Sequence, residues 1–301
     1  MSIFSNWKRK PNPKNSLANP EKIRALAIDL DGTLLSPGAV LTERTSNAIK
    51  GCMARGIKII IATGRPVEGV EQFRSALGAE GPMIYFNGAV VADMPEGKIL
   101  KTTYLDVKAA EFCVDLAREM GVYCQIYIPD GNDKNRIPLM AERDGPERKY
   151  YNERINILSE LVDLKEVLNR PGIKGCAKVM LLAEPEVLAE IRPHLDERLG
   201  GGTAMPGIAY IAQTHRTFLE IMDTKASKGR GLQFVMDHLS LKSEEVIAFG
   251  DEENDLPMFT VAGFSVAPSN AKDSVKTQAD IIVGSNTDDG VAVFLEGFFR
   301  V

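Results

Sequence analysis

Short apolar runs alternate with amphipathic segments along the first ninety residues. Three runs, Ala25–Ile28, Ile57–Ala62 and Met83–Phe86, predict buried strands. Apolar residues at helical spacing predict one helix between the N-cap Thr42 and Gly56, and a second that begins near Pro66. The order strand–helix–strand–helix–strand is typical of a parallel sheet.

The pattern changes after residue 90. A hairpin is predicted over 90–104, a helix over 106–120 and a strand over 122–128. Residues 129–152 are rich in proline, glycine and charged residues, which indicates a long irregular loop. Strands and helices then mix without strict alternation as far as residue 222. This favours a separate α+β domain with an antiparallel sheet.

The first pattern returns at Ser227. A helix is followed by strands at Val246–Phe249, Gly263–Ala267 and Asp280–Val283, and by an amphipathic helix over 288–298. We therefore expect one α/β core made of residues 21–92 and 223–301, interrupted by an inserted α+β domain of residues 93–222.

Composition narrows the class of protein. The chain has 301 residues, which favours two domains, and a net charge of −5, which does not favour nucleic-acid binding. No apolar run is long enough to span a membrane. The four cysteines form no C-x-x-C pair and no secretory signal precedes them, so we expect free thiols in the cytoplasm.

Residues 1–20 differ from the rest of the chain. They carry four basic and no acidic side chains, together with three prolines. This composition predicts a disordered basic tail, and a solvated extension is favoured over contact with nucleic acid or an anionic membrane.

Two carboxylates follow the first predicted strand. Asp29 and Asp31 are two residues apart, and Gly32 and Thr33 come next. Alternate residues of an extended segment point the same way, so both carboxylates are expected to face one pocket at the end of the strand. The alternative is an ordinary polar turn, because aspartate, glycine and threonine are common turn residues.

The ends of the later strands also carry polar groups. They are Thr63-Gly64-Arg65, Asn87-Gly88 and Asp251/Asn254/Asp255, and Lys228 stands at the start of a helix. Each has a simpler interpretation as a helix cap, a hairpin turn or a surface lysine. In a parallel sheet, however, the strand ends share one edge, where carboxylates suit Mg²⁺ and a helix N-terminus suits phosphate. Together they indicate phosphoryl transfer with a carboxylate nucleophile.

Four motifs in this order resemble those of the haloacid dehalogenase (HAD) superfamily. They are Asp29-Leu30-Asp31-Gly32-Thr33, Thr63-Gly64-Arg65, Lys228-Gly229 and Gly250-Asp251-x-x-Asn254-Asp255. The insertion between the second and third motifs is similar to the large α/β cap, the C2 type, of Cof-type phosphatases. The resemblance implies a Rossmann-like, doubly wound parallel sheet with a cap domain over residues 93–222.

The resemblance also implies a role for each motif residue. Asp29 would be the nucleophile, and Asp31 the general acid and then the general base. Asp29, the backbone carbonyl of Asp31, and Asp251 would hold Mg²⁺, with Asp255 supporting the metal or Lys228. The groups expected on the phosphate side are Thr63, Gly64, Lys228, Asn254 and Asn87. Glu252 departs from the family pattern, in which a small residue is common. Its charge would either add to the metal site or point to solvent.

These features predict a Mg²⁺-dependent phosphatase acting on a small phosphorylated metabolite, with sugar phosphates the favoured class. One alternative is a phosphomutase with the same motifs, and another is a binding or regulatory protein that retains a relic site. The intact Asp29, Asp31, Lys228 and Asp251 favour an enzyme. The cap is expected to act as a lid that selects the substrate.

Overall fold

The computed structural model describes residues 19–129, 135–200 and 207–301, and the backbone alone of residues 8–9 and 214. It divides into two compact units. The core unit comprises Met1–Leu100 and Ser227–Val301, and the inserted unit comprises Lys101–Ala226. The divisions expected from the sequence lay at 92/93 and 222/223. In the structure the two divisions lie eight and four residues later, at 100/101 and 226/227.

The strands of the described chain are numbered in chain order. They are β1 (Lys8–Arg9), β2 (Ala25–Ile28), β3 (Lys58–Ile61), β4 (Gly81–Tyr85), β5 (Val90–Met94), β6 (Lys98–Thr102), β7 (Leu105–Asp106), β8 (Tyr123–Tyr127), β9 (Leu139–Ala141), β10 (Glu160–Leu161), β11 (Gly175–Cys176), β12 (Lys178–Leu182), β13 (Ala209–His215), β14 (Phe218–Asp223), β15 (Val246–Phe249), β16 (Phe264–Pro268) and β17 (Ile281–Val283).

The helices are numbered in the same way. They are α1 (Glu43–Ala54), α2 (Glu68–Leu77), α3 (Val107–Glu119), α4 (Pro146–Ile155), α5 (Leu164–Leu168), α6 (Pro185–Arg198), α7 (Lys228–His238), α8 (Leu256–Val261), α9 (Asp273–Lys276) and α10 (Gly290–Phe299), with short 3₁₀ turns at Pro20–Lys22, Phe86–Gly88, Ser243–Glu245, Glu253–Asp255 and Asn286–Asp288. Among these, no helix is long and apolar enough to cross a membrane.

The main sheet of the core unit has the strand order β1-β17-β16-β15-β2-β3. Five of its strands, β17, β16, β15, β2 and β3, are parallel to one another, and only β1 at the edge is antiparallel. From β2 the chain proceeds to β3 on one side, and later returns through β15 on the other. The strand order therefore reverses beside β2, and ligands bind at such a reversal, outside the carboxyl ends of the strands.

Helices cover both faces of this sheet. Ala27 of β2 and Ala248 of β15 lie in one apolar cluster with Leu232 and Val235 of α7. The next residue of β15, Phe249, faces the other way and packs edge-on against Phe294 of α10, with ring centroids 5.7 Å apart. Burial on both faces explains the uninterrupted apolar sequences of β2 and β15. This confirms the expected doubly wound α/β core.

The third predicted strand has a different role from the one expected. β4 joins the main sheet through a single parallel bridge, between Ala62 and Ile84. Its ladder is antiparallel, with β5, and β6 completes this three-stranded sheet. For Asn87-Gly88 the sequence leaves open a site role or a hairpin turn. In the structure these residues lie in the 3₁₀ turn Phe86–Gly88, through which the chain reverses directly into β5.

The inserted unit has the sheet order β10-β9-β8-β12-β14-β13, which is antiparallel except between β10 and β9. Alternate residues of this sheet, including Ile126, Val179 and Ile221, belong to an apolar core that also contains residues of α3, α5 and α6. The opposite face holds a buried ion pair, in which Lys178 Nζ lies 2.8 Å from Glu220 Oε1. This arrangement is the α+β class that the mixed pattern predicted.

Two expectations need correction. The segment 129–152 was predicted to be an irregular loop, but it contains β9 and most of α4. The hydrophobic pattern does not reveal α4, because only Tyr151 of this helix is buried and the helix has no apolar stripe. The basic tail was predicted to be disordered, but its residues Lys8–Arg9 form a short strand that pairs with β17. The pairing uses backbone groups, so no hydrophobic pattern in the sequence indicates it. Residues 1–7 and 10–18 lie outside the described residues.

The buried pair of the inserted unit makes a prediction about stability. Lys178→Met is expected to destabilise the protein by roughly 3–5 kcal/mol, because it leaves Glu220 buried without its partner. Lys178→Met combined with Glu220→Leu should recover most of this loss. Thermal and urea unfolding measure the effect. Arg136→Ala, which breaks the exposed pair with Glu160, is the control and should cost at most about 1 kcal/mol. Wild-type stability in Lys178→Met would contradict this account.

Candidate active site

Asp29 stands directly after β2, at the reversal of strand order. Its backbone N–H donates to the carbonyl of Phe249 at 3.1 Å, so β15 fixes its position. The side chain is buried, and Oδ1 accepts a hydrogen bond from Lys228 Nζ at 2.6 Å. Burial raises the pKa of Asp29 well above its usual range; Lys228 opposes the shift, and Asp255 and Asp251 add to it. The shift is therefore mainly an effect of burial, and Lys228 is the strongest of the neighbouring charges.

Lys228 is the first residue of α7, and its ammonium group bridges two carboxylates. Nζ lies 2.6 Å from Asp29 Oδ1 and 2.6 Å from Asp255 Oδ1. Burial alone would lower the pKa of Lys228, but Asp255 and Asp29 together raise it above its usual value. A fixed cation of this kind at a helix N-terminus is suited to an anionic ligand.

Asp255 holds Lys228 in place. Its Oδ2 accepts the backbone N–H groups of Asp251 and Glu252, both at 3.0 Å, while Oδ1 accepts from Lys228. Both oxygens are thus occupied, and the residue is completely buried. These contacts tie Asp255 to Lys228, whereas the sequence left open whether Asp255 supports the metal or Lys228.

Asp251 is joined to the loop that follows β2. Thr33 Oγ1 donates to Asp251 Oδ1 at 2.6 Å. Gly32 makes this approach possible: its φ is +83°, and a Cβ there would lie only 2.2 Å from Asp251 Oδ2. Burial raises the pKa of Asp251 to about 6, the Thr33 hydrogen bond lowers it, and Asp255 raises it. Thr33 has no role assigned from the sequence, although its position directly after Asp31-Gly32 is a signal for one.

Three acidic side chains converge at this edge of the sheet. Asp29, Asp251 and Asp255 each offer an oxygen within 4.8 Å of the others, and all three are buried. Within the described residues, Asp29 Oδ2 and Asp251 Oδ2 accept no hydrogen bond. Three carboxylates beside one lysine leave excess negative charge, and the donor atoms are all oxygen. Such a set suits a hard divalent cation.

The groups expected on the phosphate side form a second cluster. Thr63 is buried, and its carbonyl accepts the N–H of Asn87 at 2.9 Å. Asn87 takes a left-handed backbone conformation, with φ of 53°, and its Oδ1 accepts from Asn254 Nδ2 at 3.0 Å. Gly64 leaves room for the Asn87 amide, since a Cβ there would lie 3.1 Å from Asn87 Oδ1. Asn254 Oδ1 is buried and has no hydrogen-bond partner among the described residues.

Asp31 lies in a different environment from Asp29. β2 ends at Ile28, and the chain then turns, with Leu34 N–H donating to the carbonyls of Asp29 and Leu30. Strand alternation therefore does not govern the directions of the two side chains. The Asp31 side chain is 54% exposed and pairs with Arg65, whose Nη2 lies 2.5 Å from Oδ1. Arg65 belongs to the second motif, but no role follows for it from the sequence.

Glu252 points away from the acidic cluster. Its carboxylate is half-exposed and pairs with Lys272, with Nζ 2.7 Å from Oε2. Of the two alternatives left by the sequence, the structure favours the outward one, and the charge of Glu252 is balanced at the surface. The departure from the family pattern thus adds no unpaired charge to the site.

Comparison with known proteins gives the family. A family model described as haloacid dehalogenase-like hydrolase matches residues 26–295. The chain belongs to this family. It is 29% identical to the 5-amino-6-(5-phospho-D-ribitylamino)uracil phosphatase YitU of Bacillus subtilis, over 92% of this chain and 97% of that protein. Its fold is similar to the crystal structure of TM0651 from Thermotoga maritima, with a TM-score of 0.79, 30% identity and coverage of 93% and 97%.

A further relative is longer. The chain is 30% identical to the chloroplastic endoribonuclease YBEY of Arabidopsis thaliana over 90% of its own length, but it spans only 46% of that protein. The family match and the phosphatase relatives confirm the expected Cof-type HAD phosphatase, with a Rossmann-like core and a cap.

Asp251 supplies a pH-dependent prediction. Because its pKa is raised to about 6, the folded protein binds this proton more tightly than the unfolded chain does. In metal-free protein the group therefore disfavours folding above pH 6, by up to about 3 kcal/mol, and this cost disappears as the pH falls towards 4. Asp251→Asn should raise the melting temperature at pH 7.5, and the difference from wild type should vanish near pH 4.

Melting temperatures of both proteins in EDTA, from pH 4 to 8, measure this difference. Asparagine retains an oxygen that can accept from Thr33, so the variant changes mainly the charge. A difference that stays constant with pH, or a less stable variant at pH 7.5, would contradict the burial of an ionised Asp251.

Proposed function

We propose that this HAD-type phosphatase is Mg²⁺-dependent and hydrolyses small phosphate esters through a phosphoryl group carried on Asp29. One observation supports the proposal above all others. Lys228 Nζ holds Asp29 Oδ1 at 2.6 Å, while Asp29 Oδ2 accepts no hydrogen bond from the described residues. One oxygen is thus anchored and the other is available as a nucleophile.

The donor set fits the proposed metal. Asp29, the backbone carbonyl of Asp31, and Asp251 would hold Mg²⁺, since all three offer oxygen and the site has excess negative charge. When bound, the ion would offset the repulsion between the carboxylate and the phosphoryl oxygens. Asp255 would stay outside this set, because its oxygens serve Lys228 and two backbone N–H groups.

Each residue of the site has a defined role in the two proposed steps of the reaction. Asp29 Oδ2 attacks phosphorus, the bond from phosphorus to the ester oxygen breaks, and Asp31 gives a proton to the departing oxygen. Water then attacks the phosphoryl group, Asp31 takes a proton from it, and the bond to Asp29 breaks to release inorganic phosphate. Lys228 and the Thr63 hydroxyl stabilise the phosphoryl oxygens, and Asn254 and Asn87 shape their side of the site.

The substrate class proposed is a small phosphorylated metabolite, with sugar phosphates favoured. The relative YitU is named for a substrate that carries phosphate on a ribityl group, which supports a polyol or sugar phosphate. The site described above lies entirely in the core unit and holds groups for the phosphoryl centre. We therefore propose that residues 93–222, the predicted cap, select the rest of the substrate and act as a lid.

We place the reaction in a reducing compartment such as the cytoplasm. All four cysteines are free and buried, which supports that setting. The net charge of −5 favours a small-molecule partner over nucleic acid.

The nucleophile assignment predicts the effect of one substitution. Asp29→Asn should abolish turnover of p-nitrophenyl phosphate and of sugar phosphates, because an amide does not attack phosphorus. Steady-state phosphate release measures the loss, and circular dichroism checks the fold. Asp273→Asn, at a surface position, is the matched control and should retain full activity. Phosphatase activity in Asp29→Asn would show that another group is the nucleophile.

The metal assignment predicts a distinctive response to cations. Activity should be lost in EDTA, return with Mg²⁺, and be inhibited by Ca²⁺. Mg²⁺ holds near-octahedral geometry, whereas Ca²⁺ accepts more and looser ligands and allows Asp29 to bind through both oxygens, which ties up the nucleophile. Titration of EDTA-treated enzyme with each ion tests this. Full turnover in EDTA, or with Ca²⁺ alone, would rule out the proposed Mg²⁺ site.

A further inference from the structure

Arg65 is the one charged residue of the four motifs that the proposed reaction leaves without a role. Its guanidinium group donates two parallel hydrogen bonds to the Asp31 carboxylate, from Nε to Oδ2 at 2.7 Å and from Nη2 to Oδ1 at 2.5 Å. Paired bonds of this kind fix the plane of a carboxylate as well as its distance.

Arg65 is itself held by groups other than Asp31. Nη1 donates to the carbonyl of Gly69 at 3.2 Å, and the guanidinium carbon lies 5.2 Å from the centre of the Phe73 ring. The backbone N–H donates to Thr63 Oγ1 at 3.1 Å. Phe73 is buried in α2, so Arg65 is anchored to a rigid element and to the second motif at the same time.

Asp31, in contrast, has little else to hold it. It stands in the turn after β2, its side chain is 54% exposed, and within the described residues only Arg65 hydrogen-bonds to its carboxylate. An exposed carboxylate on a turn otherwise samples several rotamers. A carboxylate has about four lone-pair positions, and Arg65 takes two of them, which leaves the others free to exchange a proton.

We propose that Arg65 is a positioning residue that fixes the Asp31 carboxylate for proton exchange with the departing ester oxygen and with the attacking water. The inference rests on the proposed function, since it assumes that Asp31 moves these protons. Arg65 does not touch the reacting atoms in this account. It acts by its two hydrogen bonds, held in place by Gly69 and Phe73.

The alternative is that the pair only stabilises the fold. The chain contains a similar pair on α2, the helix that carries Phe73. Arg74 grips Glu71 with Nε at 2.7 Å and Nη2 at 2.6 Å, and its Nη1 donates to the carbonyl of Ala79. Neither residue belongs to the motifs or to the acidic cluster. Arg74→Lys therefore shows how the loss of a two-bond arginine–carboxylate pair outside the site affects stability and kcat.

The test uses the full-length enzyme with Mg²⁺ and two kinds of substrate. An alkyl phosphate has a poor leaving group that needs a proton, and p-nitrophenyl phosphate has a good one. Arg65→Gln should lower kcat for the alkyl ester by about 10- to 100-fold, and for the aryl ester by about 3-fold or less while the phosphorylation of Asp29 limits the rate. Arg65→Lys should recover part of this loss, because one donor and the charge remain.

A double-mutant cycle separates action through Asp31 from an independent effect. In the Asp31→Asn background, where kcat for the alkyl ester should already be lower, Arg65→Gln should add less than about 3-fold. Arg74→Lys should affect the two substrates equally. Melting temperatures of all variants show whether each one is folded.

The outcomes distinguish the inference from the function on which it rests. If Asp31→Asn lowers kcat for the alkyl ester but Arg65→Gln changes both substrates equally, or multiplies the Asp31→Asn loss in full, then Arg65 does not act through Asp31 and the inference is wrong. If Asp31→Asn leaves kcat for both substrates unchanged, the proposed acid–base role of Asp31 is wrong, and so is the inference about Arg65.

Discussion

The site depends on one buried ammonium group. Lys228 Nζ lies 2.6 Å from both Asp29 and Asp255, and without it two carboxylates would face each other in a region from which water is largely excluded. Removing one partner of a buried ion pair is costly, because the remaining charge is left unpaired. Asp255 in turn ties the loop after β15 to this lysine through two backbone N–H groups. Lys228 therefore links Asp29 and the loop that carries Asp251 to the start of α7.

Close approach of backbone segments brings these groups to one place. Gly32 lets the loop after β2 meet the Asp251 side chain, and Gly88 lets the turn after β4 meet the beginning of α7. A Cβ on Gly88 would lie 2.1 Å from the carbonyl oxygen of Ser227, and φ there is +94°. Both glycines are required by space as well as by backbone conformation. Gly32 thus joins the first motif to the fourth, and Gly88 joins the turn that carries Asn87 to the start of α7.

Much of this could be predicted from the sequence, for a physical reason. In a parallel sheet the carboxyl ends of the strands share an edge, so Asp29, Thr63 and Asp251 could be placed together from the strand pattern alone. What the pattern does not contain is the choice of partner for each side chain. Asp29 and Asp31 looked equivalent by alternation, yet one is buried with Lys228 and the other is half-exposed with Arg65. In the same way α4 shows no apolar stripe, because only Tyr151 of that helix is buried, and periodicity had nothing to detect.

The central claim is that Asp29 carries the phosphoryl group. The most direct measurement is to trap that group during turnover, by mixing enzyme, Mg²⁺ and saturating substrate, quenching in acid, and reducing with borohydride. An acyl phosphate is reduced to an alcohol, so the account predicts homoserine in place of aspartate at position 29, found by peptide mass spectrometry, and its absence when the substrate is omitted. Reduction at another acidic residue, or a burst of released alcohol with Asp29 unmodified, would contradict it.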